Sequence, residues 1–227
     1  MTPKEQWASV DHYITDQLAL SDSALTSALE DSEAAGLPAI SVTAAQGKLL
    51  HLLARLHAAR TILEIGTLGG YSTIWLARAL PPGGSLITLE ASAKHADVAR
   101  NNIARAGFAD VVDLRLGPAL ELLPQLAAEN RAPFDFIFID ADKPSTPEYF
   151  NWALKLSRPG SLIVVDNVIR SGEIANAESD DPGILGMRRF FDLVGNEKRV
   201  SATALQTVGS KGYDGFALAL VTGEPGV

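Results

Sequence analysis

From residue 61 onward, short apolar runs alternate with stretches in which apolar residues recur at helical spacing. The runs are rich in Ile, Val, Leu and Phe and largely apolar, which is typical of strands buried on both faces of a sheet. They predict strands at Thr61–Ile65, Ser85–Leu89, Val111–Leu116, Phe134–Ile139 and Ser161–Val165. The intervals predict helices at 71–80, 92–106, 117–128 and 146–156. Repeated strand–helix units of this kind form a parallel, doubly wound sheet.

The two ends of the chain depart from this alternation. Before residue 60 the pattern predicts three helices, at 3–20, 22–34 and 44–58. Thr43 is the expected N-cap of the third helix. Near the other end, a helix at 183–195 precedes the segments Arg199–Thr207 and Tyr213–Val221. The glycine-rich turn between those segments predicts a hairpin, one strand of which would run antiparallel to the rest of the sheet.

These elements predict an α/β fold with a Rossmann-like, mostly parallel sheet and one antiparallel strand. A chain of 227 residues is long enough for one such domain. We expect a single domain over 1–227, with N-terminal helices in 1–58 and the sheet-containing core in 60–222.

Composition narrows the choice of partners and compartment. The chain has a formal net charge of −8 and no cysteine, so polyanionic partners, disulfides and thiolate metal sites are disfavoured. No apolar run approaches the length of a membrane span, and the first residues lack the basic and apolar regions of a signal peptide. We therefore expect a soluble cytoplasmic protein that binds neither nucleic acid nor membrane.

A glycine-rich loop follows the first predicted strand and contains Gly66, Thr67, Leu68, Gly69 and Gly70. Glycine at this place lets a ligand approach the backbone closely. The spacing G-x-x-G-G differs from the G-x-G-x-x-G of dinucleotide sites, and bulky side chains stand where a pyrophosphate would pass. An ordinary strand–helix turn, in which the glycines serve packing alone, is the alternative interpretation.

Two acids flank this loop at strand ends. Glu90 ends the second predicted strand, where a carboxylate can accept hydrogen bonds from the ribose hydroxyls of an adenosine. Glu64, just before the loop, would repel phosphates but suits a cationic ligand. S-adenosyl-L-methionine has a ribose, a sulfonium and an ammonium and no phosphate, so it fits both acids. Ser72 is either an ordinary first-turn residue or a donor to the cofactor's carboxylate near the positive end of the helix.

A second group of polar residues follows the fourth and fifth predicted strands. Asp140 follows one strand, and Asp166 and Asn167 follow the next. Carboxyl ends of parallel strands meet at one edge of a sheet, where ligands of open α/β sheets bind. Three oxygen ligands favour Mg²⁺, with Ca²⁺ or Mn²⁺ as alternatives, whereas zinc is disfavoured because no His or Cys joins them. Helix N-capping is the competing role for all three residues.

Lys143 lies three residues after Asp140 and is the candidate general base. A cation bound nearby would favour its neutral form, which can take a proton from a hydroxyl group. Asp142 is expected to be a solvated loop charge. The four histidines do not cluster and are expected in surface or packing roles, at His12, His51, His57 and His95.

The chain resembles the catechol and caffeoyl-CoA O-methyltransferase family, particularly its small bacterial members. The resemblance covers residues 40–222 and rests on the segments LEIGTLGGYST, FDFIFIDADK, RPGSLIVVDNVIRSG and LQTVGSKGYDGFALALV. It implies a homodimeric, S-adenosylmethionine-dependent and divalent-cation-dependent enzyme. Such an enzyme methylates a hydroxyl of a small phenolic or catechol-like acceptor.

The resemblance also implies roles for individual residues. The cofactor-binding residues would be Val42, Glu64, Gly66, Thr67, Ser72, Glu90, Ala119 and Asp140. Among them, Glu64 and Ser72 would hold the methionine end, Glu90 the ribose, and Ala119 the adenine. The metal ligands would be Asp140, Asp166 and Asn167, and the catalytic residues would be Lys143 and Asp140.

Two segments depart from the family pattern. The chain has Pro144-Ser145-Thr146-Pro147 where plant-type members usually have an asparagine–tyrosine pair, and residues 170–182 match only loosely. No basic patch supports a coenzyme A thioester as acceptor. The alternatives to a methyltransferase are a nucleotide-dependent oxidoreductase, which the missing G-x-G-x-x-G disfavours, and a non-catalytic cofactor-binding protein.

Overall fold

The apolar runs pair into one seven-stranded sheet in a computed structural model of the chain, which describes residues 1–18 and 20–223. The strands are β1 (Thr61–Ile65), β2 (Ser85–Glu90), β3 (Val112–Leu116), β4 (Phe136–Ile139), β5 (Leu162–Asp166), β6 (Val200–Gly209) and β7 (Gly212–Val221). Their order across the sheet is β3-β2-β1-β4-β5-β7-β6. β7 lies antiparallel between β5 and β6, which confirms the mostly parallel sheet with one antiparallel strand.

Helices cover both faces of this sheet. They are α1 (Pro3–Gln17), α2 (Ser23–Ala34), α3 (Ala44–Leu56), α4 (Tyr71–Ala77), α5 (Ala93–Arg105), α6 (Ala119–Ala128), α7 (Thr146–Lys155) and α8 (Pro182–Asn196). Two 3₁₀ turns, Lys143–Ser145 and Arg170–Ala175, follow β4 and β5. Of the helices in the described ranges, none is long and apolar enough to cross a membrane.

Alternate residues of each strand enter different cores because successive side chains point to opposite faces. Leu63 and Ile65 pack on the face that carries α6, α7 and α8. Ile62 packs on the other face, against α2, α3 and α4, with Leu50 and Trp75. The strands β1, β2, β4 and β5 are therefore buried on both sides, as their apolar sequences predicted, whereas β3 and β6 at the two edges are half-buried or exposed.

The predicted element boundaries need small corrections. α1 ends at Gln17 rather than at residue 20, and residue 19 lies outside the described part of the chain. α4 stops at Ala77, shortly before Pro81 and Pro82, because proline disfavours the helical conformation of the residue before it. Leu56, predicted on the apolar face of the third helix, is 84% exposed, whereas Ala54 in the same turn is completely buried, so Leu56 lies on the solvent side of α3.

The hairpin of β6 and β7 rises above the edge where the parallel strands end. Asp166, the last residue of β5, pairs with Phe216, whereas the last pair of the hairpin joins Gly209 to Gly212. Four residues at about 3.3 Å each carry the hairpin tip roughly 13 Å past the end of β5. The tip therefore forms a wall beside the carboxyl edge of the sheet.

Candidate functional site

A cavity of about 880 Å³ lies at the carboxyl edge of the sheet. Its walls come from the ends of β1, β2, β4 and β5, from residues 39–43 before α3, and from the hairpin tip. The predicted site residues that line it are Val42, Gly66, Thr67, Ser72, Glu90, Ala119, Asp140, Lys143, Asp166 and Asn167. The fold thus brings together nearly all the residues that the sequence analysis selected; Glu64 is not part of the cavity wall.

Glu64 lies beneath the cavity wall and is completely buried. One carboxylate oxygen accepts a hydrogen bond from the Ser72 hydroxyl at 2.6 Å, and the other accepts from Thr73 at 2.5 Å and Thr88 at 2.7 Å. Burial raises the pKa of Glu64 to about 7, against the opposing effect of those three hydroxyls. Glu64 therefore fixes the hydroxyl of Ser72, which itself faces the cavity.

The glycine loop touches the end of β4. Gly66 has a φ of +102°, and a Cβ atom there would lie 2.0 Å from the backbone oxygen of Asp140. Any larger residue would push these two strand ends apart. Gly66 therefore allows the loop after β1 and the acid after β4 to line one continuous cavity.

Glu90 holds the same loop from the neighbouring strand. One of its oxygens accepts from the backbone N–H groups of Thr67 at 3.3 Å and Leu68 at 2.8 Å, and the other accepts from Ser92 at 2.9 Å. The Nδ1 atom of His95 lies 3.4 Å from that second oxygen. His95 thus lines the cavity, a role the sequence analysis missed, although its position in the first turn of the helix after Glu90 was a usable signal.

The acids after β4 and β5 form a compact cluster with one lysine. The Nζ atom of Lys143 lies 2.8 Å from Oδ1 of Asp140. Asp166 is buried and accepts a hydrogen bond from the backbone N–H of Asn167 at 2.8 Å. Burial, together with the charge of Asp140, raises the pKa of Asp166 to about 7. Two carboxylates facing one ammonium group leave negative charge that a cation would neutralise.

The donor set of this cluster fits a hard divalent cation. Among residues 1–18 and 20–223, no group of three His, Cys, Asp or Glu side chains is placed to hold a metal ion. The candidate set is instead two carboxylates and the amide oxygen of Asn167, which are ligand types that Mg²⁺ and Ca²⁺ accept. The structural observation that favours a cation here is that Asp140 and Asp166 line the same cavity beside a single lysine, Lys143.

The capping interpretation of these acids is wrong. Asp142, rather than Asp140, caps the 3₁₀ turn after β4, and it accepts hydrogen bonds from the backbone N–H of Ser145 and the hydroxyl of Tyr149. Burial alone would raise the pKa of Asp142, but these hydrogen bonds outweigh it and lower the pKa. Asp142 is an exposed loop acid, as expected, but its carboxylate also has this capping role, which the sequence analysis did not predict. Tyr149 joins the cavity wall as a residue that sequence reasoning missed.

The hairpin tip and the N-terminal segments close the far side of the cavity. Lys211 donates from Nζ to the backbone oxygen of Ala39 at 2.7 Å, and the N–H of Ser210 donates to Asp11 at 2.7 Å. Asp214 accepts from the backbone N–H of Arg170 at 2.9 Å, which ties the loop after β5 to β7. These contacts join residues far apart in the chain, so the sequence offered no signal for them.

Comparisons with known proteins agree with this geometry. The family model described as O-methyltransferase matches residues 19–220. The chain is 58% identical to a catechol O-methyltransferase of Niastella koreensis over 213 residues, covering 94% of this chain and 96% of that protein. It is 55% identical to a catechol O-methyltransferase of Mycobacterium tuberculosis over 212 residues, covering 93% and 94%. The crystal structure of an O-methyltransferase from Bacillus cereus in complex with SAH superposes with a TM-score of 0.95 at 58% identity, covering 96% of this chain and all of that one.

Proposed function

The chain belongs to the O-methyltransferase family and is an S-adenosylmethionine-dependent enzyme; from this premise we propose that it methylates a hydroxyl of a small catechol-like acceptor with the help of a divalent cation. The acceptor class follows the relatives described as catechol O-methyltransferases. Membership of this family argues against both alternative functions, a nucleotide-dependent oxidoreductase and a non-catalytic cofactor-binding protein.

One observation carries the proposal. The glycine loop and the acid cluster line the same cavity, and Gly66 packs directly against the backbone of Asp140. A methyl donor on the loop and an acceptor at the acids would therefore be neighbours. Holding two reactants side by side in this way is a large part of catalysis in a displacement reaction.

The cofactor's position follows from the polar groups on the loop side. Ser72, fixed by Glu64, would bind the carboxylate of the methionine end near the start of α4. Glu90 would accept hydrogen bonds from the ribose hydroxyls. Val42 and Ala119 would contact the methionine end and the adenine, and Asp140 would reach the amino group. Gly66 and Thr67 would lie along the cofactor.

The chemistry on the acid side begins with the acceptor hydroxyl. A phenol ionises only near pH 10, so at neutral pH it must lose its proton to become a good nucleophile. Asp140, Asp166 and Asn167 would hold the divalent cation, Mg²⁺ most simply. When bound, the cation would stabilise the phenolate and orient two vicinal hydroxyl oxygens.

Lys143 would take the proton of that hydroxyl. In its present contact Lys143 donates to Asp140, so it must first lose a proton before it can act as a base. Its side chain is largely buried, with 13% of its area exposed, which keeps it directed into the cavity. Placed three residues after Asp140, it is held at the acid cluster by the 3₁₀ turn that it begins.

A methyl-transfer assay with labelled S-adenosylmethionine tests this proposal. We expect turnover with a 1,2-dihydroxybenzene and much less with the corresponding monohydroxybenzene. Asp166→Asn should reduce turnover at least tenfold while cofactor binding persists. Asp110→Asn, at an exposed position away from the cavity, is the matched control and should retain activity. Equal turnover of both acceptors by wild type and Asp166→Asn would contradict the cation-assisted mechanism.

Oligomeric state and compartment complete the proposal. We propose a homodimer, a single domain over residues 1–227 and a cytoplasmic location, as the sequence analysis predicted. Light scattering at micromolar concentration checks the first of these, and a monomer mass would refute it.

A further inference from the structure

The charged groups around the cavity are distributed unevenly. On the cofactor side, His95 lies against Glu90, and at the acid cluster Lys143 pairs with Asp140. The remaining basic residues of the cavity wall, Lys211 and Arg170, lie on the side of the hairpin. Neither forms a salt bridge within the described part of the chain.

Lys211 stands at the hairpin tip and reaches across to the segment before α3. Its Nζ donates to the backbone oxygen of Ala39 at 2.7 Å, which leaves two of its three hydrogens for other partners. Lys211 is exposed as a whole, and the partial burial of its ammonium group at the hairpin tip lowers its pKa. The nearby Asp11 is engaged with the backbone of Ser210 instead. The ammonium group thus lines the cavity with hydrogens to spare, and a ligand carboxylate there would pair with it.

Arg170 lies in the loop that follows β5, three residues after Asn167. Its Nε atom is buried and has no hydrogen-bond partner in residues 1–18 and 20–223. Its backbone is fixed, because Asp214 accepts hydrogen bonds from the N–H groups of Ile169 and Arg170. A buried donor without a partner is costly, and a bound anion would satisfy it.

The order of the strands places these cations at the acceptor end. Across the sheet, β2 with Glu90 comes first, then β1 and β4, then β5 with Asp166, and finally the hairpin that carries Lys211. The cofactor side and the hairpin side therefore flank the acid cluster. An acceptor whose hydroxyls lie at Asp140 and Asp166 cannot occupy the space of the cofactor, so the rest of the molecule must extend toward the hairpin.

We infer that Lys211 and Arg170 select acceptors that carry a carboxylate on the side of the ring away from the reacting hydroxyls. This inference rests on the proposed function, because it assigns a substrate class to the same cavity. The carboxylate would be held by the hairpin while the hydroxyls face Asp140 and Asp166. The ligand would be a small dihydroxyaryl acid, since the cavity also has to hold the cofactor.

The test compares 3,4-dihydroxybenzoate with its methyl ester, which differ only at the carboxyl group: the acid is charged there, and the ester is neutral and larger by one methyl group. Binding of each is measured by calorimetry in the presence of SAH, and turnover is measured separately. We expect the wild type to bind the acid more tightly than the ester. Lys211→Met should weaken binding of the acid roughly 10- to 100-fold, as for loss of a charge-assisted hydrogen bond, and change binding of the ester less than about threefold.

Three further variants sharpen the comparison. Lys211→Arg keeps the charge and should keep the preference for the acid. Arg170→Met should reduce that preference in the same direction as Lys211→Met. Lys198→Met, an exposed lysine at the opposite end of the hairpin and outside the cavity wall, should behave as wild type.

The binding arm and the turnover arm separate two failures. Equal binding of acid and ester by the wild type, or equal losses for both in Lys211→Met, would overturn the inference, since Lys211 would then only tie the hairpin to Ala39. Charge-selective binding that depends on Lys211 without methylation of either compound would support the inference and count against the proposed catechol methyltransfer.

Discussion

Replacing Glu90 with glutamine exchanges one carboxylate oxygen for an NH₂ group, and so tests the proposed cofactor site with a minimal change. The carboxylate offers two accepting oxygens, one for the N–H groups of Thr67 and Leu68 and one for that of Ser92. A glutamine has a single accepting oxygen and an NH₂ group. Whichever way it turns, at least one backbone N–H of this set faces another donor. Glu90→Gln therefore cannot reproduce the native contacts.

The size of the effect follows from these contacts. In the better orientation the glutamine oxygen keeps the two loop N–H groups and loses the bond to Ser92. A hydrogen bond to a charged group is worth about 1.5–3 kcal/mol, so the fold should lose roughly that amount of stability. The ribose of the cofactor would also lose one hydrogen bond, because the amide oxygen accepts from one hydroxyl whereas the carboxylate can accept from two. We expect S-adenosylmethionine to bind roughly 10- to 100-fold more weakly.

Calorimetric titration with S-adenosylmethionine measures this loss, and thermal unfolding measures the change in stability. Glu30→Gln on the exposed face of α2 is the control for removal of one negative charge. Glu90→Ala should weaken binding by a similar or larger factor. Unchanged affinity in Glu90→Gln, with the control also unchanged, would remove Glu90 from the cofactor site.

Three further predictions concern the acid cluster and the buried glutamate. Lys143→Met should lower the turnover number about 10²- to 10⁴-fold with cofactor affinity intact, as steady-state rates and calorimetry would show; a smaller loss would exclude it as the base. A chelator should abolish turnover and leave cofactor binding mostly unchanged, with Mg²⁺ restoring activity; full activity in a metal-stripped sample would refute cation dependence. The fold raises the pKa of Glu64 from 4.5 to about 7, so the folded chain keeps a proton that the unfolded chain releases, and stability should fall as pH rises through that interval. Melting temperatures between about pH 5 and pH 8 should show a shallower decline in Glu64→Gln than in wild type, and identical slopes would contradict the assignment.

Sequence reasoning was strongest where topology alone decides position. Parallel strands end at one edge, so Glu90, Asp140 and Asp166 had to meet there once the alternation of strands and helices was recognised. The hairpin was predictable for a similar local reason, since a glycine-rich turn separates its two apolar segments. That turn makes β6 and β7 antiparallel to each other, whereas the pairing of β7 with β5 is known from the structure alone.

The parts that the sequence did not reveal depend on side-chain direction and distant contacts. Glu64 was placed beside the ligand, yet strand alternation turns it toward α4, where three hydroxyls enclose it. The contacts of Lys211 with Ala39 and of Ser210 with Asp11 join residues 172 and 199 positions apart. Such pairs form only after the sheet and the N-terminal helices have assembled, so no local pattern encodes them.

The side of the cavity formed by the glycine loop and the side formed by the hairpin tip differ in how well they tolerate amino-acid substitutions. The cofactor wall is built into the centre of the sheet, where even a methyl group on Gly66 would collide with the backbone of Asp140. The opposite wall is the tip of a ten-pair ladder, and most side chains of β6 along it are exposed. Substitutions at exposed positions usually cost little stability. If the proposed acceptor site is right, we therefore expect a different turn in place of Ser210 and Lys211 to change the acceptor preference and to leave S-adenosylmethionine binding unchanged.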